Sequence, residues 1–320
     1  MTVLAMVAPA AQVAGVLLGA PLVAGVMRQV RARLEGRVGA GVAQPWRDLR
    51  KHLRKQAMTP SGTTVVFSLA PAVVAGSALL IAAIVPLVTT FSPLDRMADL
   101  FAVVGLLLIG TVALALGGLD TGTAFGGMGA SRGITIAALA EPTILLSVFA
   151  LSLPAGSSNL GVIVAATAHD PWTVLSVPGA LAFVALLTVI VAETGRLPVD
   201  NPSTHLELTM IHEAMELEYA GPRLALMEWA SAMRLTVLLA LLANLFAPWG
   251  IAGAGSGAGG FLLATVLIAA KVAVLALILG GIEVFVAKLR LFRVPELLAG
   301  SFVLALLAVT TSSFFASAVG

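Results

Sequence analysis

Acidic side chains lie in two settings of this sequence where they can hold and release protons. Glu141, Glu228 and Glu283 fall within or at the ends of long apolar segments, where a charge costs about 2.5 to 3.5 kcal/mol on insertion scales. Six of the sixteen acids fall within 26 positions, and they are Glu193, Asp200, Glu207, Glu213, Glu216 and Glu218. Crowded carboxyl groups near a low-dielectric region raise one another's pKa values and can pass protons near neutral pH. Together the acids predict a hydrated ion path.

Two basic residues also lie within apolar segments. Lys271 is predicted to tune the charge of the path, whereas Arg234 lies six positions after Glu228 and so off its helix face. The alternative for these charges is internal ion pairing that fixes helix packing. A zinc protease is excluded, because His212-Glu213 is followed by Glu216 where the motif requires a second histidine.

The composition places these charges in a membrane protein. The 320 residues are 59% apolar and only 11% charged, with a mean hydropathy of +1.04, whereas soluble domains are about 25% charged. The net charge of +2 predicts no nucleic-acid partner. The absence of cysteine excludes disulfides, zinc fingers and iron–sulfur clusters held by this chain.

Apolar segments long enough to cross a membrane, about 20 residues each, predict an all-α, polytopic bundle with eight transmembrane helices. Residues 1–320 are expected to form a single transmembrane domain. The glycine-rich stretch 253–260 divides one long apolar segment into two spans, and 159–168 is too short to cross and is expected to pack at the surface. The predicted spans lie near residues 3–27, 64–90, 100–119, 133–154, 171–192, 223–246, 261–282 and 297–318.

Positive charges predict the orientation, since Lys and Arg in short loops stay on the cytoplasmic side. Fifteen of the eighteen basic residues fall in alternate loops, whereas the opposite loops contain only Arg96. Both termini are therefore predicted on the outer side of a plasma (inner) membrane.

Two inner loops have helical patterns of their own. In the basic loop 28–62, Trp46, Leu49 and Leu53 recur at helical spacing opposite a basic face, which predicts an amphipathic helix. It either anchors to anionic membrane lipids or forms a chamber wall or docking surface. In the acidic loop 193–222, Thr204 and Glu207 have capping-box spacing, so a helix is predicted from there to about Tyr219.

Several short motifs, in order, resemble the membrane-anchor subunit of formate hydrogenlyase and other energy-converting nickel–iron (NiFe) hydrogenases of the hydrogenase-4 type. That family is itself similar to NADH dehydrogenase subunit 1 of respiratory complex I. The motifs are Gly36-Arg37-Val38-Gly39, Gln44-Pro45-Trp46-Arg47-Asp48-Leu49, 122–132, Glu193 to Pro202, His205-Leu206-Glu207-Leu208, His212-Glu213-Ala214, Glu218-Tyr219-Ala220-Gly221, Leu226-Met227-Glu228-Trp229-Ala230, Glu283 and 287–296.

The resemblance implies a subunit that joins a peripheral redox arm to an ion-pumping membrane arm. It is not catalytic by itself, and it couples electron transfer to movement of protons or sodium ions through buried glutamates. The resemblance and the pattern of buried charges together assign to the ion path Glu141, Glu193, Asp200, Glu207, Glu213, Glu216, Glu218, Glu228, Lys271 and Glu283. The residues expected to form the chamber or to dock partners are Arg37, Gln44, Asp48, Arg132, Arg196, Arg290 and Arg293.

The expected partners are a NiFe hydrogenase-like large subunit, an iron–sulfur small subunit and antiporter-like membrane subunits. Those partners, not this chain, are expected to carry Fe–S clusters and a Ni–Fe centre. Ser203 and His205 stand where complex I subunits carry further acids, which argues against quinone binding identical to complex I. Alternative functions are a quinone-chamber subunit of an NADH dehydrogenase-like complex, a stand-alone proton-coupled transporter, or a purely structural anchor.

Overall fold

The computed structural model describes residues 3–200, 210–253, 255–290 and 293–319. Within these ranges the chain forms twelve α-helices and no β-strand, which confirms the all-α prediction. The helices are α1 Val3–Leu34, α2 Gln44–Leu53, α3 Val65–Ile84, α4 Leu100–Asp120, α5 Ala124–Ala155, α6 Leu160–His169, α7 Trp172–Leu175, α8 Val177–Glu193, α9 His212–Glu216, α10 Pro222–Phe246, α11 Ala258–Phe285 and α12 Val294–Val319.

Seven of these helices are long and apolar enough to cross a membrane, which confirms a multi-pass membrane protein. They are α1, α3, α4, α5, α10, α11 and α12. The predicted span at 171–192 is shorter than expected, since α8 begins only at Val177, where the Ser176 side chain accepts a hydrogen bond from Gly179 N–H. Its 17 residues are at the lower limit for crossing.

The predicted second span, 64–90, is wrong at its end, because α3 stops at Ile84. Pro86 disfavours helical backbone at Val85, which is extended. The following segment is buried, and side-chain amides satisfy its backbone. Gln12 of α1 accepts from Leu87 and Val88 N–H and donates to Val85 O, and Asn244 of α10 donates to the carbonyls of residues 86 and 87. Irregular backbone at membrane depth requires such partners.

The predicted amphipathic helix exists as α2, and protein covers its apolar face at Trp46 and Leu49, whereas Leu53 at its end is exposed. Trp46 makes an edge contact with Trp229 of α10, with ring centroids 5.6 Å apart, and Leu49 is buried. Pro21 has no N–H, so Leu17 O of α1 lacks its helical donor. The Trp229 indole N–H donates to that carbonyl at 2.9 Å. The ring contact of Trp46 therefore holds α2 against α10, and the indole of Trp229 holds α10 against α1.

Within the described part of the acidic loop, the helix predicted up to Tyr219 ends already at Glu216. Residues 204–207, where that helix was predicted to begin, lie outside the described residues, and within them only α9, His212–Glu216, is helical. Asp200 accepts the backbone N–H groups of Ile211 and His212, groups that a continuous helix would use internally. The segment 159–168 is too short to cross, as predicted, because it forms the ten-residue α6, which buries Leu160 and Ile163 completely.

Candidate functional site

A cavity of about 500 Å³ lies where the ends of α1, α8, α10 and α11 meet the loop after α8. These are the helix ends that the charge distribution predicts on the inner side. Acidic and basic side chains line the cavity together, and apolar residues of α3 and α4 complete the wall. The charged residues of its lining are Glu193, Asp200, Glu213, Glu216, Glu228, Glu283, Arg28, Arg31, Arg196 and Arg234.

An ion pair between Glu193 of α8 and Arg234 of α10 lies in this wall. The Arg234 Nη2 group also donates to Thr111 Oγ1 at 2.7 Å and to Leu107 O at 3.1 Å, both on α4. Glu193 is only 4% exposed, and a buried charge needs such a partner and further hydrogen bonds. The pair therefore ties three membrane helices together around one carboxylate.

Glu141 of α5 lies near this pair without lining the cavity. It is 6% exposed, and the charges of Glu193 and Arg234 act on it. Its Oε1 atom is buried with no hydrogen-bond partner among the described residues. Arg234 therefore lies within the electrostatic reach of two buried carboxyl groups.

The end of α8 positions the neighbouring residues of the site. Gly195 has φ of +61°, and its N–H donates to Ala192 O while Arg196 N–H donates to Val191 O. This Schellman arrangement favours glycine at the left-handed position. The turn carries Arg196 towards α11, where its Nη1 lies 3.5 Å from Oε1 of the buried Glu283. Burial lowers the pKa of Arg196, and the charge of Glu283 opposes that shift.

Asp200 organises the part of the cavity wall formed by the loop after α8. Burial by itself would raise its pKa, but the His212 side chain and the N–H groups of His212 and Ile211 together hold the pKa below its ordinary value. The Nδ1 atom of His212 lies 3.3 Å from Asp200 Oδ2. Asp200 is therefore an ionised anchor at neutral pH.

Glu216 is a titratable group in the described part of the loop. Burial, opposed by the charge of His212 and assisted by the charges of Glu228 and Glu213, raises the pKa of Glu216 to about 7. A group with this pKa changes its protonation state in the physiological range. Glu228 in turn lies 3.9 Å, Oε1 to Nε2, from His52 of α2.

Of the remaining path residues predicted from the sequence, those that the structure describes are not brought into the cavity wall. Glu218 does not line it, and Glu207 lies outside the described residues. Lys271 lies elsewhere, with Nζ donating at 2.6 Å to both Ala247 O and Trp249 O. These carbonyls follow the end of α10, where helical partners are missing.

Most of the predicted docking residues lie outside the cavity. Gln44 donates to Asp48 at 2.9 Å, and Asp48 lies 3.7 Å from Arg28. Arg37 is exposed beside Glu35, and Arg132 donates to Met210 O at 3.3 Å. Arg290 and Arg293 follow α11, where Leu289 N–H donates to Pro198 O and ties the loop after α11 to the loop after α8. Only Arg196 of this group lines the cavity.

Sequence reasoning missed several site residues. Arg28 and Arg31 were assigned only to loop charge, although their three-residue spacing on a helix predicts a shared face. His52 had no local signal beyond its residue type, and His212 was considered only in the excluded protease motif and in a family motif. Among the residues that the structure describes, no group of three or more His, Asp or Glu is arranged to hold a metal ion.

Comparison with known proteins finds relatives of this chain that belong to one family. The family model described as NADH dehydrogenase matches residues 7–313. Formate hydrogenlyase subunit 4 of Escherichia coli is 37% identical over 90% of this chain and 92% of its own length. Hydrogenase-4 component C of Escherichia coli is 36% identical over 75% of each chain. An NADH-quinone oxidoreductase subunit of Syntrophobacter fumaroxidans is 32% identical over 68% of this chain and 69% of its own.

A solved structure shows the same fold at low identity. It is titled as the membrane-bound sulfane sulfur reductase, an archaeal respiratory membrane complex, and the matching chain has a TM-score of 0.82 at 19% identity. The match covers 95% of this chain and 98% of that one. With nearly its whole length matched by the family model and by formate hydrogenlyase subunit 4, this chain belongs to the NADH dehydrogenase family, as a membrane protein of the subunit 1 type.

Proposed function

We propose that this chain is the membrane subunit of a hydrogenase- or formate hydrogenlyase-type complex and couples electron transfer in partner chains to ion movement. The observation that carries the proposal is the cavity in which six carboxylates and four arginines meet at helix ends that the charge distribution predicts on the inner side. Relatives named formate hydrogenlyase subunit 4 and hydrogenase-4 component C support the type of complex.

Arg234 is the proposed switching charge. It pairs with Glu193 and also acts electrostatically on Glu141. A proton that reaches Glu193 neutralises this carboxylate and removes its attraction for Arg234. The arginine charge is then available to stabilise ionised Glu141, which releases its own proton. One proton enters at Glu193 and one leaves Glu141, so the charge moves without net consumption of protons.

The loop after α8 is the proposed link to the redox chemistry. It contributes Arg196, Asp200, His212 and Glu216 to the cavity, and it is tied to the loop after α11 by the hydrogen bond from Leu289 to Pro198. A partner bound on this face can shift both loops together and change the solvation of Glu216. Partner chains supply the iron–sulfur clusters and the nickel–iron centre in this proposal.

Quinone binding is the second candidate function. The cavity volume of about 500 Å³ is within the range of small-molecule sites, and one relative is named as part of an NADH-quinone oxidoreductase. A quinone bound there would be extracted by organic solvent from the purified complex in about equimolar amount. Its absence from the extract would contradict this second candidate.

Gentle detergent extraction of the native complex tests the leading proposal. Mass spectrometry of the co-purifying chains should find hydrogenase-like, iron–sulfur and antiporter-like subunits, and metal analysis should find nickel and iron. The complex is then reconstituted in liposomes with the electron donor appropriate to those chains. Glu193→Gln should abolish ion movement, whereas Glu296→Gln at the exposed start of α12 should retain it.

Two results would overturn the proposal. A chain that purifies alone and moves protons by itself would establish the stand-alone transporter. A complex whose ion movement is unchanged by Glu193→Gln would reduce this chain to a structural anchor.

A further inference from the structure

His52 of α2 differs from the other described histidine of the site. Its Nδ1 atom is buried and has no hydrogen-bond partner among the described residues, and its Nε2 atom lies 3.9 Å from Glu228 Oε1. His212, in contrast, has its Nδ1 atom 3.3 Å from Asp200 Oδ2. Structural histidines have a hydrogen bond that fixes the ring, so a buried ring without one requires an explanation.

The location of His52 supplies that explanation. Glu228 lines the cavity together with Glu216, and their charges act on each other. The His52 side chain is 20% exposed, and it joins α2 to Glu228 of α10. His52 therefore stands between the carboxylates of the cavity and the aqueous face of the amphipathic helix.

We propose that His52 exchanges protons between Glu228 and the aqueous side of α2, carrying each proton by rotation of its imidazole ring. This inference rests on the proposed function, and it adds the residue through which protons enter or leave the cavity. Neither ring nitrogen has a hydrogen bond within the described structure that rotation would break. A distance of 3.9 Å is spanned by one water molecule or by a small side-chain movement.

The proton transfer is balanced at each step. The Glu228 carboxyl group gives its proton to neutral His52, which leaves a carboxylate and an imidazolium. Ring rotation brings the protonated nitrogen to the exposed edge, where a water molecule accepts the proton and His52 returns to its neutral form. The reverse sequence takes protons in.

The other charged groups around His52 restrict which carboxylate can exchange a proton with it. Asp48 lies one helical turn earlier on α2 and pairs with Arg28 of α1 at 3.7 Å. Both act electrostatically on Glu228. Arg223, at the start of α10, donates to Thr59 instead. Glu228 is therefore the carboxylate that the described structure offers to His52.

The test uses the whole complex in liposomes, with charge movement followed by a membrane-potential dye during redox turnover. His52→Gln and His52→Ala should each slow charge movement by about a hundredfold, the lower range for loss of a proton-transferring side chain.

Imidazole added to the outer solution should restore charge movement in His52→Ala. Methylated imidazoles used in its place should restore charge movement in proportion to their basicity. The potential is measured because imidazole carries protons across lipid and would collapse a pH difference. His169→Ala, an exposed histidine at the end of α6, should behave like the unmodified chain with and without imidazole.

The outcomes separate this proposal from the one it rests on. If Glu193→Gln stops charge movement while His52→Gln stays within twofold of the parent, the role of His52 is overturned and the proposed function stands. A loss in His52→Ala that no imidazole restores identifies a structural role and also overturns it. If neither variant changes charge movement, both proposals fail.

Discussion

Glu193 and Arg234 form a buried ion pair although they lie 41 positions apart in the chain. The pair joins α8 to α10, and Thr111 of α4 accepts a further hydrogen bond from the same guanidinium group. Burying two charges is costly, and their mutual attraction offsets this cost only when both are present. The pair therefore makes the packing of these helices depend on the protonation of one carboxyl group.

Loss of the Glu193 charge should destabilise the protein more than loss of the whole pair. Glu193→Gln leaves Arg234 buried without its partner, a change that costs about 3 to 5 kcal/mol. The double variant Glu193→Gln with Arg234→Met should recover much of that loss. Thermal unfolding in detergent measures both, and equal stabilities of the single and double variants would contradict the pairing.

Glu216 should make the free energy of unfolding depend on pH at values above the usual pKa of a glutamate. Its folded pKa, raised to about 7 from 4.5, means that the stability contributed by the neutral group is fully present below pH 4.5 and is lost as the pH rises through 7. Glu216→Gln keeps a neutral side chain. In free energy of unfolding, the variant should match the parent at pH 4.5 and exceed it at pH 8, by at most about 3 kcal/mol. A constant difference across this range would contradict the assignment.

Asp200 should protect the backbone at the start of α9. Its carboxylate accepts the N–H groups of Ile211 and His212, and hydrogen bonds to a charged group contribute about 1.5 to 3 kcal/mol. Asp200→Asn should therefore speed amide exchange at both positions about tenfold or more. Because the pKa of Asp200 is lowered, protection in the parent should persist at pH 5 and weaken only below 3.8. Unchanged exchange in the variant would show that other contacts hold this segment.

The indole N–H of Trp229 should matter only while Pro21 is present. Trp229→Phe removes the donor to Leu17 O, and loss of a buried hydrogen bond costs about 1 to 3 kcal/mol. In a Pro21→Ala background, the new N–H at position 21 can satisfy Leu17 O within α1. The cost of Trp229→Phe should then be smaller, as a double-mutant cycle of thermal unfolding would show. An equal cost in both backgrounds would assign the effect to ring packing alone.

Local patterns predicted the helices well where a helix depends on its own residues. The amphipathic spacing of Trp46 and Leu49 located α2, since periodicity is a local property. The end of α3 was missed although Pro86 signals it, because the buried segment after it is as apolar as a span. The helix predicted up to Tyr219 was wrong because Asp200 takes the N–H groups that such a helix needs.

The sequence by itself determined that this chain is an all-helical membrane protein with acids concentrated in one loop and at membrane depth, because hydropathy and charge act residue by residue. The partners of those acids depended on tertiary packing. Arg234 was compared with Glu228 on its own helix but pairs with Glu193 of another helix. The amino group of Lys271, a residue of α11, lies at the end of α10 and away from the cavity. Local periodicity contains no information on contacts between distant helices. Desolvation nevertheless makes those contacts necessary, since a charge buried in the bundle is stable only beside the group that compensates it.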